Sequence, residues 1–316
     1  MNTQSKVAVV AVGGNSLITD PKRKTIDDQY DAAQASMHHI ADMIEDGWKV
    51  VISHGNGPQV GFILRRSELA IHELHPVWMD YAVADTQGAI GYMFQKALRN
   101  EFKRRGLAKQ AVTVVTQVLV DADDPAFASP TKPIGSFMDE ETALERAREY
   151  GWTVVEDAGR GWRRVVPSPA PVSIIESDAI STLVNAGYTV IAGGGGGIPV
   201  FEKPDGDLRG EEAVIDKDRA SALLAFSLNA DLYFIATAVE KVALNFKKPN
   251  EQWLDQMTVA EAEKYIEEGH FHKGSMEPKV QALANFVKHS GKKGLICTPW
   301  KIAEALAGKT GTWIVP

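Results

Sequence analysis

Short apolar runs alternate with amphipathic segments along most of the chain. Val7–Val12 and residues 50–52 are apolar and rich in β-branched residues, and Leu232–Ala236 is apolar throughout. Such runs are typical of strands buried in a parallel sheet, and the second strand is predicted over residues 49–52. Between the first two runs, apolar residues recur at steps of three and four, which predicts a helix that Thr25 caps and Gly47 ends. This alternation predicts an α/β fold with a largely parallel open sheet and helices on both faces.

The same patterns predict the later elements. Helices are expected over residues 82–102, 177–186, 216–229 and 258–269, and from the turn that contains Pro278. Strands are expected over residues 112–120, 188–192, 295–298 and 312–315. Six of the 15 prolines lie at positions 125, 130, 133, 167, 169 and 171. We therefore expect an inserted lid over about residues 121–170 without long regular elements. Its Arg160, Arg163 and Arg164 are expected to face solvent or the mouth of an active site.

Glycine-rich turns follow three of the predicted strands. The longest is Gly193 to Gly197, and the others contain Gly13, Gly14, Gly55 and Gly57. A strand followed by glycines can present backbone N–H groups to an anion, although a flexible surface loop is the alternative for the five-glycine run. His54, beside such a turn, is read as a packing residue rather than as a general base. The sequence contains neither a P-loop motif nor a G-x-G-x-x-G turn that leads into a helix.

Three lysines have a setting that suits phosphoryl transfer. Lys217 and Lys279 lie at predicted helix starts, where the helix dipole disfavours a cation unless an anion or a carboxylate compensates. For Lys217, Asp216 or Asp218 alone could compensate. Lys132 lies in the Pro-rich insertion. Because phosphoryl transfer needs cations and backbone donors around the moving group, these features favour a nucleotide-dependent phosphotransferase over a dehydrogenase.

Composition limits the other function classes. The chain has 316 residues and a net charge of −7, which argues against binding to nucleic acid or to an anionic membrane. Cys297 is the single cysteine, which excludes an intrachain disulfide and a cysteine-based zinc cluster. No secretory signal is evident, so a cytoplasmic location is expected. No spacing indicates a metal site built from side chains, and Mg²⁺ is expected to be held by nucleotide phosphates and water.

Taken together, seven segments resemble the carbamate kinases of the amino-acid-kinase superfamily. They are residues 10–15, 53–61, 130–135, 156–169, 194–199, 213–218 and 274–279. The resemblance implies a single domain over residues 1–316, a three-layer αβα sandwich with a small protruding subdomain that forms a homodimer. It also implies reversible transfer between carbamoyl phosphate and ADP, giving ATP and carbamate, in arginine metabolism.

The resemblance also assigns residue roles. Lys132 would reach carbamoyl phosphate from the lid, Lys217 and Lys279 would stabilise the transferring phosphoryl group, and Asp218 would hold the lysines. Substrate contacts would come from Gly13, Gly14, Asn15, Gly55, Asn56 and Gly57. Nucleotide contacts would come from Gly194, Gly195, Gly196, Thr237, Val239 and Met276. Gly193 has no role in this scheme.

The sequence departs from the family pattern in three places, the smallest of which is Ser16 where Ala is usual. Ala238, Glu240 and Lys241 are unusual in the adenine-side loop, and residues 298–301 differ from the stretch expected there. Two alternatives therefore stand beside a carbamate kinase. One is a kinase of the same fold with another carbamate-like or carboxylate acceptor. The other is a non-catalytic nucleotide- or phosphate-binding sensor.

Overall fold

The computed structural model describes residues 6–14, 17–18, 20, 22–157 and 159–316. Its strands, in chain order, are β1 (Val7–Val12), β2 (Lys49–His54), β3 (Ala111–Thr113), β4 (Gln117–Val120), β5 (Lys132–Met138), β6 (Thr153–Glu156), β7 (Trp162–Val166), β8 (Pro171–Ile174), β9 (Thr189–Ile191), β10 (Ile198–Glu202), β11 (Leu208–Gly210), β12 (Leu232–Ala236), β13 (Val242–Leu244), β14 (Gln252–Leu254), β15 (Gln256–Thr258), β16 (Lys293–Cys297) and β17 (Thr312–Val315). Its helices are α1 (Ile26–Glu45), α2 (Gln59–Leu69), α3 (Met79–Arg105), α4 (Pro125–Ala128), α5 (Glu140–Tyr150), α6 (Ser177–Asn185), α7 (Lys217–Ser227), α8 (Val259–Glu267), α9 (Met276–Ser290) and α10 (Ile302–Leu306).

The core is a sheet with the strand order β15-β17-β16-β12-β1-β2-β9-β3. Neighbouring strands run parallel, except for the antiparallel pair β16 and β17. The central strand β1 shows how the layers form. Val9 packs in one apolar cluster with residues of α7 and α9, whereas Val10 packs in another with residues of α1 and α3. Since successive side chains of a strand point to opposite faces, β1 is covered on both sides, and the predicted αβα sandwich is confirmed.

Helix ends follow the local chemistry of the sequence. Thr25 caps α1 and forms a capping box with Asp28, and Gly106 ends α3 at a φ of 67°. Thr258 and Glu261 form a second capping box at the start of α8. None of the helices within the described residues has the length and apolarity that crossing a bilayer requires.

The prediction of one strand over residues 112–120 is wrong. Residues Ala111–Thr113 form β3 at the edge of the central sheet, and Gln117–Val120 form β4 in a separate sheet with the order β11-β10-β4-β8. Between them, the amide of Thr116 donates to the side chain of Gln87, 2.7 Å away. The side chain of Gln87 on α3 thus accepts a hydrogen bond that a neighbouring strand would otherwise accept. The chain passes from the central sheet to the second sheet at this point.

The prediction that the Pro-rich insertion lacks long regular elements is also wrong. Strands β5, β7 and β6 form a sheet of their own, and α5 has 11 residues. The prolines lie at the two ends of this region, and none lies between Pro133 and Pro167, so nothing interrupts its centre. We call residues 132–166 the lid. The wider boundaries of about 121–170 stay a prediction.

Candidate active site

Three parallel strands, β1, β2 and β9, bring the predicted glycine turns to one edge of the central sheet. In the registers of β1 with its neighbours, Val12 lies opposite His54 of β2 and opposite Ala236 of β12. Strand β9 follows on the other side of β2. The turns after these strands therefore lie side by side at the carboxyl edge, where open α/β sheets bind ligands.

The first two turns touch each other closely. A Cβ atom on Gly14 would lie 2.5 Å from the carbonyl oxygen of Gly57, and one on Gly55 would lie 2.6 Å from the amide nitrogen of Gly14. The amide of Gly55 donates to Val12, and that of Gly13 donates to Ala236. Only glycine fits at Gly14 and Gly55. Asn15, also predicted to bind substrate, lies outside the described residues.

Asn56 continues the second turn into the interior. It is 6% exposed, and its side-chain amide donates to the hydroxyl of Thr86 on α3, 3.1 Å away. A contact of Asn56 or Gly57 with substrate stays a prediction. The contact with Thr86 is a structural role that the sequence did not reveal, since Thr86 is 30 residues away along the chain.

The five-glycine run is a buried turn rather than a flexible loop. Gly193 opens it at a φ of 65°, with its amide donating to the hydroxyl of Thr116, so this glycine is needed for its left-handed conformation. A Cβ atom on Gly194 would lie 2.4 Å from Nε2 of His54, and one on Gly195 would lie 2.3 Å from Nδ2 of Asn56. The run therefore packs directly against the second glycine turn.

Lys217, Asp218 and Lys279 form one largely buried cluster around Asp218. Asp218 accepts hydrogen bonds from Nζ of Lys217 at 2.7 Å and from Nζ of Lys279 at 2.9 Å, one on each carboxylate oxygen. Lys217 is the first residue of α7, and Lys279 lies in the first turn of α9. Two helix starts thus point two ammonium groups at one carboxylate, and the structure brings these predicted catalytic residues together.

Lys132 reaches the same place from the lid. Its Nζ lies 3.4 Å from Oδ2 of Asp216, while Oδ1 of Asp216 accepts from the amides of Asp218 and Arg219 and caps α7. All four residues predicted to be catalytic therefore converge. The sequence indicates Asp216 only as a charge partner of Lys217, because its contact with Lys132 spans 84 residues and lies beyond the reach of local sequence patterns.

Charge pairing governs protonation in the cluster. Burial by itself would raise the pKa of the Asp218 carboxyl, but the ammonium groups of Lys217 and Lys279 outweigh it and lower that pKa to about 2. Burial lowers the pKa of Lys217, with Lys279 adding repulsion, and Asp218 opposes both effects. Asp218 is thus a fixed anion that keeps two cations close together.

Three hydroxyl groups hold the start of α7 in place. Tyr233 of β12 donates to the carbonyl of Asp218 at 2.8 Å, and Ser221 donates to that of Lys217 at 2.7 Å. Ser221 also contacts Ser53 of β2, with 2.6 Å between the two hydroxyl oxygens. Sequence reasoning missed these residues. The available signal was a serine and a tyrosine inside otherwise apolar strands.

His54 is a packing residue, as the sequence indicated. It is 1% exposed, its ring meets that of Phe94 edge to face, and its Nδ1 contacts the carbonyl oxygen of Gly55. Burial lowers its pKa to about 4, with a further lowering by the charge of Lys217, so the imidazole is neutral at physiological pH.

The three remaining predicted nucleotide-binding residues flank the cluster. Thr237 and Val239 follow β12, and the amide of Thr237 donates to the carbonyl of Cys297 at the end of β16. Met276 opens α9, three residues before Lys279. They lie at the carboxyl edge of the sheet, and their contact with a nucleotide stays a prediction.

Potential metal ligands cluster elsewhere. Within the described residues, the one group of three such side chains is His38, His39 and Asp42 on α1. The guanidinium group of Arg105 donates to the carboxylate of Asp42 at 2.7 Å, so an arginine already neutralises the one acidic member of this group.

Comparisons with known proteins identify the family of this chain. The profile of the Amino acid kinase family matches residues 6–298. The chain is 49% identical to a carbamate kinase of Thermococcus kodakarensis, over 98% of this chain and 99% of that protein. It is 52% identical to the carbamate kinase-like protein YqeA of Escherichia coli, over the same shares. The carbamate kinase of Giardia lamblia bound to AMP-PNP superposes with a TM-score of 0.93 at 40% identity, covering 98% of each chain. The chain therefore belongs to the amino acid kinase family, and within it to the carbamate kinases.

Proposed function

We propose that this protein transfers a phosphoryl group reversibly between carbamoyl phosphate and ADP. An oxygen of the ADP β-phosphate forms the new bond to phosphorus, and the bond from phosphorus to the carbamoyl oxygen breaks. The products are ATP and carbamate, and carbamate decays to ammonia and carbon dioxide. The observation that carries this proposal is the pair of ammonium groups that Asp218 holds beside the glycine turns.

Lys217 and Lys279 stabilise the transferring group. Negative charge is spread over three equatorial phosphoryl oxygens at the transition state, and preorganised cations lower its energy. Asp218 offsets the mutual repulsion of the two lysines in the absence of substrate. When a phosphoryl group arrives, its oxygens offer each ammonium group a further acceptor.

The five-glycine run supports the same chemistry. Gly194 and Gly195 are buried, and their amides donate to none of the residues that the structure describes. Buried N–H groups normally have an acceptor, so a phosphate oxygen of the nucleotide is a suitable partner. A relative, the carbamate kinase of Giardia lamblia, has been solved with AMP-PNP bound, which supports nucleotide binding by this protein.

Lys132 adds a charge that arrives with the lid. Closing the lid over carbamoyl phosphate brings this ammonium group in and expels water in one movement, and exclusion of water strengthens every charge interaction in the site. We propose that Gly13, Gly14, Asn15, Gly55, Asn56 and Gly57 line the carbamoyl phosphate side. Gly196, Thr237, Val239 and Met276 would line the nucleotide side, together with Gly194 and Gly195.

The acidic groups near the cluster fit Mg²⁺ carried by the nucleotide. Both oxygens of Asp218 accept from lysines, and those of Asp216 accept from backbone amides and from Lys132. Mg²⁺ commonly binds through substrate phosphates and water, which would leave these contacts intact. When bound, the ion would neutralise phosphate charge. The family resemblance further supports a cytoplasmic homodimer that acts in arginine metabolism.

One assay tests the proposal. Purified protein with carbamoyl phosphate, ADP and Mg²⁺ should form ATP, measured by a coupled luminescence assay. The Lys217→Ala variant, purified in the same way, measures contaminating activity. Wild-type turnover no greater than that of the variant would overturn the proposal.

Acetyl phosphate as donor tests the alternative of a carboxylate acceptor. We retain this alternative because the relative that is 52% identical is named carbamate kinase-like. Faster turnover with acetyl phosphate would favour that alternative.

A further inference from the structure

The lid rests on the body through one face of its sheet. Lys132 and Ile134 of β5 lie opposite Val166 and Arg164 of β7, respectively, so these four side chains share a face. Ile134 is 6% exposed and Val166 is 2% exposed. Both pack in a cluster with residues of α2 and α3 and with Val214. The centre of the contact between lid and body is therefore apolar.

Charged pairs flank that apolar centre. At one end, Lys132 contacts Asp216 at 3.4 Å. At the other end, Arg164 donates to Oε2 of Glu212 at 2.6 Å, and its guanidinium lies 4.8 Å from the ring centre of Trp152. The arginine that the sequence placed toward solvent or the site mouth thus turns toward the body.

The polar groups of the body that meet the lid in this contact belong to one short segment that leads into α7. Glu212 meets Arg164, the amide of Val214 donates to the carbonyl of Pro167 at 3.0 Å, and Asp216 meets Lys132. The next residue after Asp216 is Lys217. The other oxygen of Glu212 accepts from the amide of Met79 at 2.6 Å, which anchors this carboxylate on the start of α3.

The apolar contact alone does not fix the orientation of the lid on the body, because burial of apolar surface is non-directional. A charge-assisted hydrogen bond does, since its energy depends on distance and angle. We propose that the Arg164–Glu212 pair is a latch that sets the position of the lid on the body and, through it, the position of Lys132. Arg164 and Glu212 are positioning residues, and neither touches the substrate. This inference rests on the proposed function only for its kinetic consequences.

Two variants break the latch with little loss of volume. Glu212→Gln keeps a carbonyl oxygen for the amide of Met79 and removes the charge that faces Arg164. Arg164→Met keeps an unbranched stem against Trp152. Arg160→Met is the matched control, since Arg160 is a lid arginine whose side chain is 64% exposed and pairs with Asp157 only three residues away. The control should leave both KM values and kcat within about twofold of wild type.

The kinetic test separates positioning from loss of folded protein. Each latch variant should raise KM for carbamoyl phosphate about tenfold and leave KM for ADP within about twofold, because only the lid lysine is displaced. A fall in kcat with both KM values unchanged would indicate loss of folded enzyme and would overturn the proposal.

A double-mutant cycle tests whether the latch acts through Lys132. In the Lys132→Ala background, Glu212→Gln should change kcat/KM for carbamoyl phosphate by less than about twofold, although it lowers that value about tenfold in the wild-type background. Equal losses in the two backgrounds would show that Glu212 acts independently of Lys132, which contradicts the proposal.

Amide hydrogen exchange tests the latch independently of phosphoryl transfer activity. In Glu212→Gln, amides of β5 and β7 should exchange at least about fivefold faster, while those of β1 and β2 keep the wild-type rate. Unchanged exchange in the lid, or an equal increase throughout the protein, would overturn the latch. An inactive wild-type enzyme would overturn the proposed function alone, and exchange would still decide the inference.

Discussion

The two groups of lysine–aspartate contacts in the site are built differently. Asp218, whose side chain is 5% exposed, holds Lys217 and Lys279 on elements of the sandwich itself. Lys132 has a 39% exposed side chain and reaches Asp216 across the contact between lid and body. The first group is a fixed electrostatic feature, whereas the second depends on where the lid lies. The site thus contains two cations anchored within the sandwich and one whose position depends on the contact between lid and body.

This difference follows from the anchoring of each lysine. Helices α7 and α9 pack together against the sheet, and hydroxyl groups of Tyr233 and Ser221 fix the first turn of α7. Lys132 begins an edge strand of a small sheet. We therefore expect variants of the first group to affect stability and kcat, and variants of the second to affect substrate binding.

The largest effect is expected from Asp218→Asn. It leaves two ammonium groups without their buried counter-ion, which should lower the free energy of unfolding by about 3–5 kcal/mol. Urea unfolding measures this loss. Glu263→Gln is the control, because its partner Lys288 is exposed and such pairs contribute at most about 1 kcal/mol. Equal losses in the two variants would mean that the buried cluster is no more important for stability than a surface pair.

Lys217→Ala and Lys279→Ala should each lower kcat by about 10²–10³-fold, with KM changed less than about threefold, since both cations act mainly on the transition state. Steady-state kinetics in both directions measures this, with Lys288→Ala as the surface control. A rise in KM at unchanged kcat would place these lysines in substrate binding instead.

His54 makes the region beside the fixed cluster sensitive to acid. Its pKa of about 4 in the folded protein lies below the ordinary value of 6.5, so the unfolded chain binds the proton more readily. The free energy of unfolding is therefore highest above pH 6.5, and it falls by about 3 kcal/mol in total as the pH decreases toward 4. Unfolding measured across this range should show the slope, and His54→Gln should reduce it. His289→Gln, at an exposed position on α9, should keep the wild-type slope. An unchanged slope in His54→Gln would contradict the assignment.

The smallest effect is expected from Lys132→Ala. Loss of the lid cation should raise KM for carbamoyl phosphate about tenfold and leave the free energy of unfolding within about 1 kcal/mol, because this contact is half-exposed. An unchanged KM would remove Lys132 from the substrate site. A large loss of stability would remove the distinction between lid and body contacts.

Patterns of neighbouring residues predicted the features that depend on interactions close in sequence. The strand Val7–Val12 and the cap at Thr25 agree with the structure, because apolar periodicity and capping act within a few residues. The predicted strand over residues 112–120 failed because Gln87, distant along the chain, takes the amide of Thr116. The prediction that the lid lacks long regular elements was wrong because a proline restricts only its own position and the residue before it. The stretch between the prolines is free to form regular elements.

For this protein, the sequence by itself determined the alternation of elements and the glycine turns after strands, and it predicted which lysines and which aspartate form the site. The tertiary structure decided the rest. It showed that the five glycines are a buried turn against His54 and Asn56, and that Asp218 meets Lys279 across 61 residues. It also turned Arg164 onto Glu212. Such contacts join distant parts of the chain, and only the packing of helices and lid on a common sheet brings their charges within hydrogen-bond range.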